Sequence, residues 1–282
     1  MKSSKTLVAD LALLCAAVLW GGGFVASKVT LSGWTPFAVL ALRFGIAAAC
    51  FGALFHRRLA GTPRAVKKKG AVIGGLIAVA FGFQMVGLQY VSSAKVSFLC
   101  TTYVALVPFL NSVVFRVPLK LRAVAAGLLA LTGIGVISLN ETLSMGLGET
   151  LSLLYNVPYG LALVFIGFFS DEETDTIQMT FYQFLTIALC AAALCLLTGQ
   201  NFHCKDPAAL YGLIYLVVFS TIAAMLLQNT AQRHTTPSMA ALMISMESVF
   251  GFLFSVLYFH EVLTGRLLLG SALCFLAILL SV

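Results

Sequence analysis

Ten apolar stretches, each about as long as a membrane-crossing helix needs to be, follow one another along the 282 residues with only short connections between them. They lie near residues 7–29, 36–55, 70–90, 94–115, 122–140, 149–169, 177–198, 209–230, 238–259 and 265–282. A helix of about 20 apolar residues crosses roughly 30 Å of hydrocarbon. In lipid every backbone N–H and C=O must be bonded within the protein, so a spanning chain is either helical or a closed barrel. The stretches are Leu/Ala/Val/Phe/Gly runs without the two-residue alternation of barrel strands. The fold class predicted is therefore all-α integral membrane, with ten transmembrane helices. Composition agrees, since only 10% of the residues are charged, whereas soluble domains carry about 25%. The longest connection, His56–Lys69, leaves no room for a soluble domain. The first stretch lacks a small-residue cleavage site and reads as a span rather than a signal peptide.

The formal net charge of +7 raises the question of nucleic acid, but the placement of the charge answers it differently. With the N-terminus inside, Lys2, Lys5, Arg57, Arg58, Arg64, Lys67, Lys68, Lys69, Arg116, Lys120, Arg122 and Arg233 fall on one side. Lys28, Lys95, Lys205 and Arg266 fall on the other, and Arg43 lies within a span. Such asymmetry predicts cytoplasmic termini in a multi-pass plasma-membrane protein. The run Arg64–Lys69 reads as a loop against anionic headgroups, with membrane lipid rather than nucleic acid as partner. The acidic loop Asp171–Asp175 falls on the same side and has little weight in orientation. Six of the seven Cys lie inside apolar runs as small hydrophobes; only Cys204 sits in a loop, and no Cys/His spacing suits a metal.

The two halves of the chain look related. A shift of 143 residues lays Phe109-Leu110-x-Ser112-Val113 on Phe252-Leu253-x-Ser255-Val256, Gln89 on Gln232, Gly127 on Gly270 and Ser138 on Ser281. Such an offset carries five spans, and an odd number inserts the second half upside down relative to the first. Inverted repeats are a transporter feature, because two half-structures can exchange inward and outward shapes around a midplane site.

Several runs resemble a known family: Leu19-Trp20-Gly21-Gly22-Gly23-Phe24, then Leu42-Arg43-Phe44, then Ser93-Ala94-Lys95-x-Ser97-Phe98-Leu99 continuing through Tyr103 to Val107-Pro108. In the second half Gln228-x-x-Ala231-Gln232, Ser245-Met246-Glu247 and His260-Glu261-Val262-Leu263-Thr264 do the same. Over essentially the whole chain the sequence resembles the EamA-type family of the drug/metabolite transporter superfamily. Two positions depart from the family pattern: Ser248 follows Glu247 where Pro is frequent, and His260 stands where Gly is common. The resemblance implies two inverted five-helix repeats, residues 1–140 and 141–282, around a central cavity. It also implies solute transport, often export of amino acids or related metabolites.

Polar and charged groups inside spans are expensive and so mark functional positions. Glu247, about ten residues into its span, suits a proton-coupling carboxylate, a partner for a substrate amine, or a structural pair within the bundle. Arg43 suits a two-pronged grip on a substrate carboxylate, a buried pair with Glu247, or a lock onto carbonyls at a broken helix. Trp20, Tyr103, Tyr155 and Tyr159 suit cavity walls or core packing. Gln84, Gln183 and Gln228 must face inward, because a lipid-facing amide is too costly; a solute or a neighbouring helix explains them equally. The expected substrate-binding set is Trp20, Arg43, Gln84, Tyr103, Tyr159, Gln183, Gln228 and Glu247. Pro108 and Pro158 predict kinks, and Gly21–Gly23, Gly74, Gly127, Gly133 and Gly135 predict close helix approach. Lys95 is expected to snorkel to the interface, and His203, His234, His260 and Asp10 to sit wetted at span ends.

No GxxxxGK[ST] loop is present, so ATP cannot act directly, and no cofactor or metal is implied. The expected function is a secondary transporter, an exporter of small polar metabolites such as amino acids, with protons as a candidate coupling ion. Uniport, or export of nucleosides, organic acids or drugs, is the alternative. A lipid-acting membrane enzyme would need a surface cluster of Asp, His or Cys that the sequence does not offer. Oligomeric state is left open.

Overall fold

A computed structural model describes residues 4–116, 118–119, 121–138, 145–170, 174–260 and 264–280. Among them the chain forms ten long helical spans: α1 (Ser4–Thr30), α2 (Pro36–Leu54), α3 (Arg64–Gly87), α4 (Ser93–Phe115), α5 (Leu121–Ser138), α6 (Leu147–Phe169), α7 (Thr176–Leu197), α8 (Ala209–His234), α9 (Pro237–Phe259) and α10 (Gly265–Leu280). Eight are long and apolar enough to cross a bilayer, while α5 and α10 contribute the shorter apolar helices Val124–Val136 and Gly265–Ala277. Asp171, Glu172 and Glu173 of the acidic loop, Glu261, Val262 and Leu263 of the second-half motif, and Lys2, Lys120, Ser281 and Val282 lie outside the described residues.

Local chemistry sets the helix ends. Ser92 and Thr236 cap α4 and α9, their hydroxyl oxygens accepting from the backbone N–H of Lys95 and Met239. Asp175 caps α7 through the N–H groups of Ile177 and Gln178. Pro36 and Pro237 open α2 and α9, where a missing N–H costs nothing. The basic run at Arg64–Lys69 corrects an expectation: it is the first turn and a half of α3, not a loop. Lys and Arg are good helix formers, so the helix emerges from the apolar layer and presents its charges at the surface.

Repeat symmetry appears in the backbone itself. α4 breaks at Thr102 and α9 at Met246, and α4 and α9 both end on a left-handed residue, Arg116 with φ 56° and His260 with φ 51°. Caps, breaks and ends of α4 and α9 all stand 144 residues apart, as in 246 − 102 and 260 − 116. This corrects the 143-residue shift. One residue on a helix is a turn of about 100°, so within α4 and α9 the identities found at 143 do not lie on equivalent faces. In the corrected register Tyr103 corresponds to Glu247, each the first residue after its break. The ten spans thus form two inverted five-helix sets.

Between helices in lipid there is no hydrophobic drive, and close packing takes its place. α7 lies along α2 and α3. A Cβ on Gly70 would come within 2.7 Å of the Met179 carbonyl, and one on Gly74 within 2.8 Å of that of Gln183. α5 pairs with α10, where a Cβ on Gly133 would meet Cys274 Sγ at 2.6 Å. Phe44, Phe51, Phe81 and Phe184 fill the centre.

Each end of the bundle is tied by its own polar contacts. At the basic end Arg58 Nε donates to Asp175 Oδ2 at 2.6 Å, and Lys69 Nζ to Thr174 Oγ1 at 2.7 Å. Arg233 Nη2 also donates there, to the Thr174 carbonyl at 3.1 Å. At the opposite end Lys28 Nζ donates to the Val91 carbonyl at 3.0 Å, and Ser32 Oγ to Asp206 Oδ2 at 2.7 Å. Lys95 pairs with Glu149 across α4 and α6 at that same end. Lys95 therefore does not snorkel freely; a carboxylate on the neighbouring span captures it. Asp10 is another correction, since it is buried within α1 rather than solvated.

Candidate functional site

Four of the spans are irregular, and three of the irregularities meet at one place. α6 breaks at Tyr155, just ahead of Pro158, whose missing N–H falls in the first turn of the helix that follows. α8 widens into a π-helical segment, Leu216–Ala223; π turns free a carbonyl and are frequent at functional sites. α9 breaks ahead of Glu247. Tyr155, Ser220 and Glu247 come from these points and line a central cavity of about 20 Å³ together with Trp20, Gly23, Phe24, Ser27, Arg43, Phe81, Gln84 and Tyr159. No lining side chain is more than 8% exposed.

Arg43 supplies the positive wall. Its Nε donates to Thr221 Oγ1, and its Nη2 donates to the Ser220 carbonyl at 3.1 Å and to Ser220 Oγ at 3.0 Å. Trp20 Nε1 donates to the same carbonyl at 2.7 Å. That carbonyl belongs to the π segment, so the wide turn of α8 is what presents an acceptor to α1 and α2. The guanidinium also lies 5.1 Å from the Phe44 ring and 5.2 Å from the Phe81 ring, a favourable arrangement for a desolvated cation. Nη1 makes no hydrogen bond among the described residues.

Glu247 supplies the carboxyl wall and is held more loosely. Its only hydrogen bond among the described residues comes from Tyr103, whose hydroxyl donates to Oε1 at 3.2 Å. Tyr103 in turn depends on Asn156. Asn156 Oδ1 accepts from the Tyr103 backbone N–H at 2.7 Å, and its Nδ2 donates to the Leu99 carbonyl at 2.9 Å. Those are the groups that the break in α4 leaves unpaired, and a single buried amide from α6 satisfies both. Aromatic rings complete the walls. Tyr155 stacks on Tyr159 at 4.9 Å and on Phe81 at 6.1 Å, and Trp20 meets Tyr159 edge-on at 6.5 Å.

Of the residues expected from sequence, Trp20, Arg43, Gln84, Tyr159 and Glu247 line the cavity, and Tyr103 reaches it through Glu247. Gln183 and Gln228 are buried but stand outside the lining. Gln183 Oε1 accepts from Asn229 Nδ2 at 2.8 Å, and Gln228 lies beside the Tyr159 hydroxyl. Of the three readings of Arg43, the pair with Glu247 is absent among the described residues; Arg43 takes its partners from α8, as in the lock onto carbonyls. The break in α4 falls at Thr102, six residues ahead of Pro108. Sequence reasoning missed Phe24, Ser27, Phe81, Ser220, Thr221 and Asn156. The adjacent hydroxyls Ser220-Thr221 in mid-span were the available signal for the π segment, and an amide two residues ahead of Pro158 was the signal for Asn156. Among the described residues no group of three His, Cys, Asp or Glu could hold a metal ion.

Comparison with known proteins places this geometry. A solved crystal structure superposes with a TM-score of 0.71 over 100% of this chain and 97% of the other, at 19% identity, which speaks for the fold alone. An uncharacterized transporter of Archaeoglobus fulgidus is 32% identical over 276 residues, covering 98% of this chain and 86% of that protein. The model of the EamA-like transporter family matches residues 7–139 and again 146–282. With the family matched across nearly its whole length, this ten-span chain belongs to the EamA-like transporter family.

Proposed function

We propose that the protein is a secondary transporter of small zwitterionic solutes of the amino-acid type, working by alternating access around the central cavity. The observation that carries this reading is a cavity with one cation and one carboxyl group that do not pair with each other. Arg43 keeps Nη1 available and Glu247 keeps Oε2 available. A zwitterion bridging them satisfies both, with its carboxylate on the guanidinium and its ammonium on Glu247. The aromatic walls accept an apolar side chain; at about 20 Å³ the cavity holds little more than one water, so the two repeats must part to admit the solute.

Coupling follows from the same residues. Glu247 is the proton-coupling group, taking a proton when the ammonium leaves. The two five-helix repeats, residues 1–140 and 141–282, rock against each other, with α4 and α9 as equivalent elements. The basic end faces the cytoplasm, in line with the excess of Lys and Arg there, so both termini are cytoplasmic in the plasma membrane, and export is the working direction. The chain acts as a transporter rather than an enzyme.

The test is flux in proteoliposomes with a pool of labelled amino acids, with and without an imposed pH gradient. Uptake that quickens with the gradient, and a Glu247→Gln variant that exchanges solute but ignores the gradient, are the expected results. Amino-acid flux indifferent to pH would make the protein a uniporter and Glu247 a binding group alone. Absence of flux for every amino acid would overturn the substrate class and direct the search to nucleosides, organic acids and drugs. A reporter fused to Val282 that reads outside the cell would reverse the orientation.

A further inference from the structure

Below the cavity, toward the basic end, three buried amide atoms that make no hydrogen bond among the described residues, Gln183 Nε2, Asn229 Oδ1 and Gln232 Oε1, stand in one cluster with a fourth, Gln228 Nε2, whose nearest partner is the Tyr159 hydroxyl. All four residues are 2% exposed or less. The other ends of three of these side chains are well placed. Asn229 Nδ2 donates to Thr180 Oγ1 and Gln183 Oε1, both at 2.8 Å, and Gln232 Nε2 donates to the Leu163 carbonyl at 3.2 Å. The cluster therefore offers two donors and two acceptors, all neutral, among α6, α7 and α8.

Its shape is a path. Gln228 and Gln232 are four residues apart on α8 and so share a face; Ser220 lies on the same helix, two turns earlier. Opposite them on α6, Tyr159 and Leu163 are likewise four apart. The row starts at Tyr159, which lines the cavity, and ends beside Arg233, whose guanidinium reaches the Thr174 carbonyl at the basic end. The other side of the cavity is built differently. There α4 meets α9 through Ser93 Oγ and Ser255 Oγ at 2.6 Å and through Ser97 Oγ donating to the Ser248 carbonyl at 3.3 Å. A Cβ on Gly21 of α1 would come within 2.5 Å of Phe250 Cβ. That side is tight and its hydroxyls are satisfied. A buried amide atom without a partner is unfavourable, and Gln232 on the α6 side with Gln183 and Asn229 behind it points to groups that pair with something passing through.

We propose that the amide row Gln228–Gln232, with Gln183 and Asn229 behind it, is the route between the cavity and the basic face, a file of neutral donors and acceptors that water and the polar groups of the solute occupy in turn. Neutral amides suit a route better than charges do, because they exchange hydrogen bonds without trapping either end of a zwitterion. The inference rests on the reading of the cavity as the transport site.

Water access along the row tests it without needing transport. Gln228→Cys and Gln232→Cys are made in the full chain and treated with a small membrane-impermeant methanethiosulfonate, in vesicles of each orientation. Labelled peptides are read by mass spectrometry, with buried Cys195 as internal reference. Position 232 is expected to react fastest and 228 more slowly, both at least about tenfold faster than Cys195 from the basic face and not from the other. Reaction no faster than Cys195 from either face, or reaction from the opposite face alone, would overturn the route. Radiolytic hydroxyl footprinting of the unmodified protein covers the case in which the cysteine variants fail to fold. Met225, one turn from Asn229, should then oxidise several-fold faster than the equally buried Met85; equal protection counts against the proposal. Because labelling requires no moving solute, its failure removes the route, whereas failed flux with labelling intact removes the transport reading.

Discussion

The wall that α2 and α8 build and the wall that α4 and α9 build each bring one ionisable group to the cavity, and they hold it in opposite ways. Arg43 is fixed by three hydrogen bonds to α8 and by two aromatic faces. Glu247 is held by one tyrosine hydroxyl, itself positioned through a break in α4 that Asn156 stitches together. A group anchored by many bonds changes neither place nor charge cheaply, because removing any partner leaves others buried and unsatisfied. A group with one neutral partner can change both. The difference supports the roles proposed above: a constant cationic anchor on one wall and an exchangeable carboxyl on the other.

The comparison can be broken most forcefully at its fixed side. Arg43→Ala removes a buried, hydrogen-bonded charge, a loss of about 2–5 kcal/mol in such settings, so flux should fall on the order of 100-fold while the protein still inserts; near-normal flux would remove Arg43 from the site. Arg43→Lys keeps the charge but not the fork, and is expected to recover part of the loss. Glu247→Gln should reduce gradient-driven flux about tenfold and leave exchange without a gradient within a few-fold of normal; equal losses in both assays would make Glu247 a second anchor and erase the contrast. Tyr103→Phe removes one hydrogen bond, roughly 1 kcal/mol, and a several-fold drop confined to gradient-driven flux is the expected result.

The smallest effect is expected away from the cavity. Partial burial pushes the Asp175 carboxyl up, but the hydrogen bonds from Arg58 and from the backbone N–H groups of Gln178 and Ile177 outweigh it and hold the carboxyl below its ordinary range. A depressed carboxyl stabilises the fold above its unfolded value, about 3.9, and the contribution is lost as pH falls through the folded value. Asp175→Asn keeps the helix cap and removes the charge. Thermal unfolding in detergent should show a loss under about 1 kcal/mol at neutral pH, vanishing in strong acid, with flux unchanged. A flux defect here would mean that the basic end takes part in the transport cycle.

Sequence and site were legible to different depths. The spans could be read because burial in lipid demands long apolar runs, and all ten fall within a few residues of their expected bounds, apart from the early start of α3. Trp20, Arg43, Gln84, Tyr159 and Glu247 could be read because polar groups are conspicuous against such a background. Phe81 could not, since one Phe among 22 carries no mark. Ser27 and Ser220 are small hydroxyls of a kind that more often bond their own helix, as Thr30 does with the Ala26 carbonyl. The partners of Arg43 were hidden for another reason: they depend on a π turn, which exposes a carbonyl through backbone geometry and needs neither Pro nor Gly. Lys95 was misread because its partner Glu149 lies 54 residues away and meets it only when α4 and α6 pack.

The contact between Tyr103 and Glu247 has a meaning in depth. Inverted halves are related by a two-fold axis lying in the plane of the membrane, so equivalent positions sit equally far above and below the middle of the bilayer. Tyr103 and Glu247 are equivalent, and they touch. Equivalent residues whose side chains meet, the Tyr103 hydroxyl on Glu247 Oε1, stand close to the axis, which puts Glu247 near mid-depth. An elementary charge that crosses the whole membrane exchanges about 2.3 kcal/mol per 100 mV with the transmembrane potential. In the proposed cycle a proton that reaches Glu247 from either aqueous phase crosses roughly half of that drop, so voltage would act about equally on the step that loads the carboxyl and on the step that empties it.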